Sequence, residues 1–147
     1  MRKHYMRNLL GNPIEIGIGG YSLILGGVLD AFPKLDVMLP RAGGSVPWGI
    51  GRLERTVDRW PQFAKAKKPA IDYLRRFYFD TIVESAPILT ALIGLVGADR
   101  ILFGTDYASV MRDHRPVAFI DELTTLGASE RQDILGGNAA RAFRLDG

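Results

Sequence analysis

The sequence predicts an α/β fold built on parallel strands, and three observations predict it. Three short apolar runs, "LDVMLP", "FYFDTIV" and "RILFGTD", have the composition of buried strands. Between and around them lie segments with apolar residues at helical spacing. Strands that alternate with helices call for right-handed crossovers and parallel pairing. Finally, 147 residues with three strands fall short of a closed eight-stranded barrel, which takes about 250 residues. The expectation is therefore one part of a larger architecture.

The elements follow in order. Residues 14–31, "IEIGIGGYSLILGGVLDA", are expected to form one helix, with Asn12 as its N-cap and Pro13 in the first turn. Glycines 17, 19, 20, 26 and 27 lower its propensity and point to a close helix–sheet contact. "FPKL" stops the helix, and "LDVMLP" is the first strand. "RAGGSVPWG" is a loop. "IGRLERTVDRW" is a helix with Ile50, Leu53, Val57 and Trp60 on one face. "PQFAKAKKP" is a polar linker, and the aromatic, β-branched "FYFDTIV" is the second strand. "SAPILTALIGLVGADR" is a helix capped by Ser85 and ending near Gly97, after which "RILFGTD" is the third strand. Two helices close the chain, "RPVAFIDELTTLG" and "ASERQDILGGNAARAFRL", the latter with Ser129 as N-cap and Gln132 completing a capping box. The whole of residues 1–147 is expected to be a single partial domain. Its three strands leave two open edges, which favours a homo-oligomer or a complementing chain.

Composition narrows the function. A hydrophobic share of 47% with 24% charged residues fits a soluble globular protein. The net charge is +3, and bases alternate with acids (Arg52, Glu54, Arg55, Asp58, Arg59), so nucleic acid is not an expected partner. The absence of cysteine rules out disulfides and thiolate metal sites, and a cytoplasmic location is expected. "MRKHYMRNLLGNP" has no apolar h-region, so no leader is expected. No apolar stretch approaches the ~18 residues of a membrane span.

Asp106 is the leading candidate for chemistry. It ends an apolar run, and α/β proteins build their sites at the C-terminal ends of parallel strands. It can be a metal ligand or general base, or it can cap the following turn. Asp80 ends the preceding strand in the same way, and a structural role is favoured for it. Gly43 and Gly44 allow a sharp turn and a close backbone approach. Arg41 and Arg52 can bind an anion or lie solvated on the surface. His4 and His114 lack ligand spacing such as H-x-H and are expected to be solvated. No Ser-His-Asp set, phosphate loop or dinucleotide fingerprint is present.

Five segments in fixed order, "GNPIE", "GGVLDAFPKLDVMLPRAGGSVPWGIGRLER", "YLRRFYFDT", "GADRILFGTDY" and "ILGGNAARAFRL", resemble the C-terminal half of the amidohydrolase-related family 2. The likeness is nearest to its aminocarboxymuconate-semialdehyde decarboxylase-like group, which includes resorcylate-type decarboxylases. It runs from about residue 8 to residue 145. The resemblance implies strands six to eight of a TIM-type (β/α)8 barrel. It implies a divalent metal, zinc or another, and decarboxylation or hydrolysis of small aromatic or muconate-type carboxylic acids. Asp106 in "FGTDY" matches the family's last-strand metal ligand. Arg41 stands where the family carries a catalytic histidine in an "HGGG"-like loop. An arginine stays protonated, its pKa being above about 12, and cannot act as a general base. It can still neutralise a carboxylate. Arg52 matches an arginine that grips the substrate carboxylate, in some members from the neighbouring subunit. Trp48 matches an aromatic position near the site, and Ala108 stands where many members have proline. The family's H-x-H pair and middle-strand histidine have no counterpart here. The chain alone is thus expected to lack a complete site, with no catalytic residue and with no metal of its own as an open possibility. The alternative is a non-catalytic remnant that serves as a binding or assembly module.

Overall fold

The computed structural model describes residues 3–145. The expectations for the N-terminus and for the domain limits fall partly on residues 1, 2, 146 and 147, which lie outside the described residues. Strands β1 (Val37–Leu39), β2 (Phe77–Asp80) and β3 (Ile101–Leu102) form one parallel sheet in the order β1-β2-β3. Val37 lies opposite Phe77, and Phe79 lies between Leu39 and Ile101. Side chains alternate across a strand. Leu39, Phe77, Phe79 and Ile101 therefore point to one face, where they join the core. Met38, Tyr78, Asp80 and Leu102 point to the other.

The helices are α1 (Asn12–Leu25), α2 (Val28–Ala31), α3 (Val46–Arg59), α4 (Ala86–Val96), α5 (Pro116–Asp121), α6 (Ala128–Gln132) and α7 (Asn138–Phe143). They bury the apolar face of the sheet. Ile24, Leu29, Val46, Leu89, Leu92, Val96, Ile120 and Ile134 are fully buried against it. Among the described residues, no helix is long and apolar enough to cross a membrane.

Several local expectations are corrected. The helix expected over residues 14–31 starts earlier and breaks before its end. A π-turn at Arg7–Gly11 runs straight into α1, so Asn12 is helical (φ −61°) and caps nothing. Gly27, at φ +70°, divides α1 from α2. A β-carbon on Gly17 or Gly20 would strike Ser45 or Val46, so these glycines serve a close helix–helix approach as well as one to Leu39 in the sheet. The start of α3 is Val46, with Pro47 in its first turn. Residues 81–83 do not extend β2, and residues 70–76 form a 3-10 turn that propensity did not suggest. Gly127, not Ser129, precedes α6, because its extended backbone (φ −69°, ψ 162°) makes the entry. The Glu130 carboxylate, rather than Gln132, accepts its N–H at 3.0 Å.

Among the described residues β1 and β3 are both outermost strands, as expected, but the edge at β3 is partly covered. The Phe103 N–H donates to the Ile134 carbonyl (3.1 Å), and the Asn138 amide donates to the Ile101 carbonyl (2.7 Å). The helical run at the C-terminus folds back along β3 and takes up these two groups. At the opposite edge, β1 takes no backbone hydrogen bond beyond its ladder with β2 among the described residues. Arg144 reaches Asp36 at 3.5 Å, and both line an open groove of about 400 Å³ with Met38, Tyr78 and Leu102.

A buried tyrosine ties the linker to the helices. The Tyr73 hydroxyl donates to Asp30 (2.5 Å) and accepts the Lys67 and Lys68 N–H groups. That bond is the main reason the Asp30 carboxyl sits below its ordinary value of 3.8. A lowered folded value adds stability above the ordinary value and loses it as pH falls through the folded one. Tyr73→Phe is expected to cost about 1–2 kcal/mol near pH 6 and to flatten the loss of stability on the acid side. Urea midpoints from pH 6 down to pH 3 check this, and an unchanged acid slope would count against the Asp30 bond.

Candidate functional site

The C-terminal ends of the three strands converge on a small polar cluster. Burial pushes the Asp80 carboxyl, which ends β2, above its ordinary range, although three amides and the Arg41 charge oppose the shift. Its oxygens accept the N–H groups of Arg41 (2.9 Å), Ala42 (2.7 Å) and Ile82 (3.1 Å). Asp80 is thus structural, as favoured, but its chief partners lie across the sheet in the loop after β1. Arg41 and Ala42 have φ of +52° and +50°, a left-handed conformation that costs non-glycine residues roughly 1–2 kcal/mol each. The Asp80 carboxylate holds this turn. Gly43 (φ +80°) then lies on the Phe79 ring, where a side chain has no room.

The next residue, Thr81, links β2 to the loop after β3. Its hydroxyl accepts the Gly104 N–H (3.0 Å) and donates to the Gly104 carbonyl (3.1 Å). Two positions later stands Asp106, also left-handed at φ +54°. Its Oδ1 lies 4.0 Å from Arg41 Nη2, with the two side chains 21% and 28% exposed. Asp106 and Arg41, both singled out in the sequence, therefore come together. Trp48 and Arg52 do not join them. They lie one turn apart on the outer side of α3 and line a separate groove of about 680 Å³ with Leu10, Ile14 and Tyr21. Arg52 also borders a cleft with Arg55, Arg59 and Trp60. His4 and His114 are exposed. Sequence reasoning missed Thr81 and Asn138. The only local signal was a polar residue directly after a strand or on an apolar helix face.

Residues 10–145 match the family model described as Amidohydrolase. The chain belongs to this family. This amidohydrolase-family chain is 30% identical, over 99% of its length, to the 2-amino-3-carboxymuconate-6-semialdehyde decarboxylase of Dictyostelium discoideum. It overlays on the 5-carboxyvanillate decarboxylase of Sphingomonas paucimobilis with a TM-score of 0.84 at 30% identity over 97% of the chain. A dihydroxybenzoic acid decarboxylase from Polaromonas sp. JS666, with bound manganese and 2-nitroresorcinol, gives 0.79 at 26% identity over 92%. The chain spans 41% of the Dictyostelium protein and 44% and 41% of the two structures. Its sheet is accordingly part of the (β/α)8 barrel of those relatives.

The residues present do not fit a divalent ion. Asp106 is one carboxylate, and the group facing it is a cationic guanidinium without a free lone pair. The Asp80 oxygens are committed to amide N–H groups. Among the described residues, no three histidine, cysteine or carboxylate side chains converge.

Proposed function

We propose that this chain carries the C-terminal strands of an amidohydrolase-type site for a small aromatic or muconate-type carboxylic acid, and that it turns over no substrate alone. The pairing of Arg41 with Asp106 at the strand ends carries this reading. It sets two charged groups where such barrels act on substrate, with no histidine beside them among the described residues. The free edge of β1 and the exposed Met38 favour a partner that completes the sheet. In this reading the metal, zinc or another divalent ion, would be held by that partner's residues, Asp106 being already paired with Arg41. Trp48 and Arg52 would bind an aromatic carboxylate, the indole covering the ring and the guanidinium the charge. Their separation from Asp106 suits a contribution to a second subunit's site in a homo-oligomer. The replacement of a histidine by Arg41 favours the second reading, a non-catalytic binding or assembly module.

Mixing separates the two. The chain is combined with the N-terminal part of the Sphingomonas enzyme in manganese buffer, and decarboxylation of 5-carboxyvanillate and 2,6-dihydroxybenzoate is followed. Turnover on mixing, with none from either piece alone, is the expected result. No turnover in any mixture would sink the split-site reading and leave the binding module.

A further inference from the structure

The guanidinium of Arg41 is held in place but not used up. Its backbone is pinned by Asp80 through two consecutive N–H groups, where Arg41 and Ala42 are left-handed with no glycine at either position. The buried acid thereby fixes where the side chain leaves the strand end. At 4.0 Å the contact with Asp106 is an ion pair without a hydrogen bond. Among the described residues, no side-chain nitrogen of Arg41 donates a hydrogen bond to the protein. Its fork of N–H donors therefore remains available to two parallel oxygens. The side chain is 28% exposed, so an incoming ligand can reach it.

We propose that Arg41 takes the electrostatic place of a divalent cation beside Asp106, so that this chain binds a small carboxylate directly through the guanidinium, without a metal. The proposal rests on the functional reading above only for the class of ligand. A fixed positive charge against Asp106 removes the attraction that a dication would find there and repels one that approaches. The same charge attracts a carboxylate. Asp106 then tunes the site rather than building it, since its own negative charge competes with the ligand for the guanidinium.

The test is a calorimetric titration of the full chain with 2,6-dihydroxybenzoate, once with EDTA and once with excess manganese. Binding is expected in both, with equal affinity. Arg41→Gln is expected to weaken it by about tenfold or more, the loss of one charge-assisted pair, while Asp106→Asn keeps or tightens it. Arg41→Lys, which retains charge without the fork, is expected to recover part of what Arg41→Gln loses, and thermal melting confirms that each variant is folded. The proposal is overturned by binding that needs manganese, by loss in Asp106→Asn with Arg41→Gln unaffected, by a lysine variant no better than glutamine, or by no binding at all. Turnover in the mixing experiment tests the functional reading separately, because this titration uses the chain alone.

Discussion

Asp80→Asn is expected to destabilise the chain by about 1–3 kcal/mol, and Asp80→Ala by about 3 kcal/mol or more. The two oxygens of Asp80 divide the work: Oδ1 accepts from Ala42 and Ile82, and Oδ2 accepts from Arg41. An asparagine that keeps its oxygen toward Ala42 must point its NH₂ at the Arg41 N–H, setting donor against donor. Alanine leaves all three amides without an acceptor. The variants also differ in pH response. Burial holds the Asp80 carboxyl above its ordinary value of 3.8. A raised folded value means that its contribution is full below 3.8 and is lost as pH rises through the folded value. The wild-type advantage over Asp80→Asn should therefore shrink on the basic side of that window. Urea midpoints of both proteins, measured in steps from pH 4 to pH 7, give the difference directly. Parallel curves would show that burial does not control this carboxylate.

The strands were legible because parallel strands buried on both sides are written as apolar runs, as in "FYF" and "RIL". Asp106 was legible for a related reason, since an acid that ends such a run is conspicuous. Arg41 gained meaning through the family pattern. What the sequence did not disclose is how these residues meet. The turn at Arg41 and Ala42 is left-handed without a glycine at either position, and it is stabilised by a carboxylate 39 positions away. Local propensity carries no information about such a bond. The tie between Thr81 and Gly104 spans 23 positions and is equally silent. Gly17 and Gly20 pointed to a close approach of the sheet, but their nearest neighbours are Ser45 and Val46 at the start of α3, which no local pattern names. The charge pattern of α3 is equally silent on its long-range contacts. Glu54, one of the acids interleaved with its arginines, turns inward to accept the Ala70 and Ile71 amides. Arg52, Arg55 and Arg59 make no ion pair among the described residues.

Asn138 governs the edge of the sheet, and its replacement is expected to cost more than that of any surface residue. It is 1% exposed, and its NH₂ group donates to the carbonyls of Ala98 (2.8 Å) and Ile101 (2.7 Å). Two carbonyl partners admit only a donor, so the orientation of the amide is decided by its surroundings. Its oxygen in turn accepts from Arg141 at 2.6 Å. Asn138→Ala removes both donors and leaves a void beside β3, a loss of about 3 kcal/mol. Asn138→Asp keeps the shape but sets a carboxylate against two carbonyls, so it should be worse than alanine at neutral pH and recover as acid protonates it. The order of urea midpoints at pH 7, wild type above alanine above aspartate, checks the energetics. Amide exchange at Phe103 checks the architecture, because its N–H reaches Ile134 only while the C-terminal run stays folded along β3. If exchange at Phe103 is as slow in Asn138→Ala as in the wild type, packing of Ile134 holds that run in place and the asparagine does not. If exchange speeds up while the rest of the core stays protected, the edge of β3 opens as a unit of its own, and one side chain decides whether the C-terminal run stays seated on it.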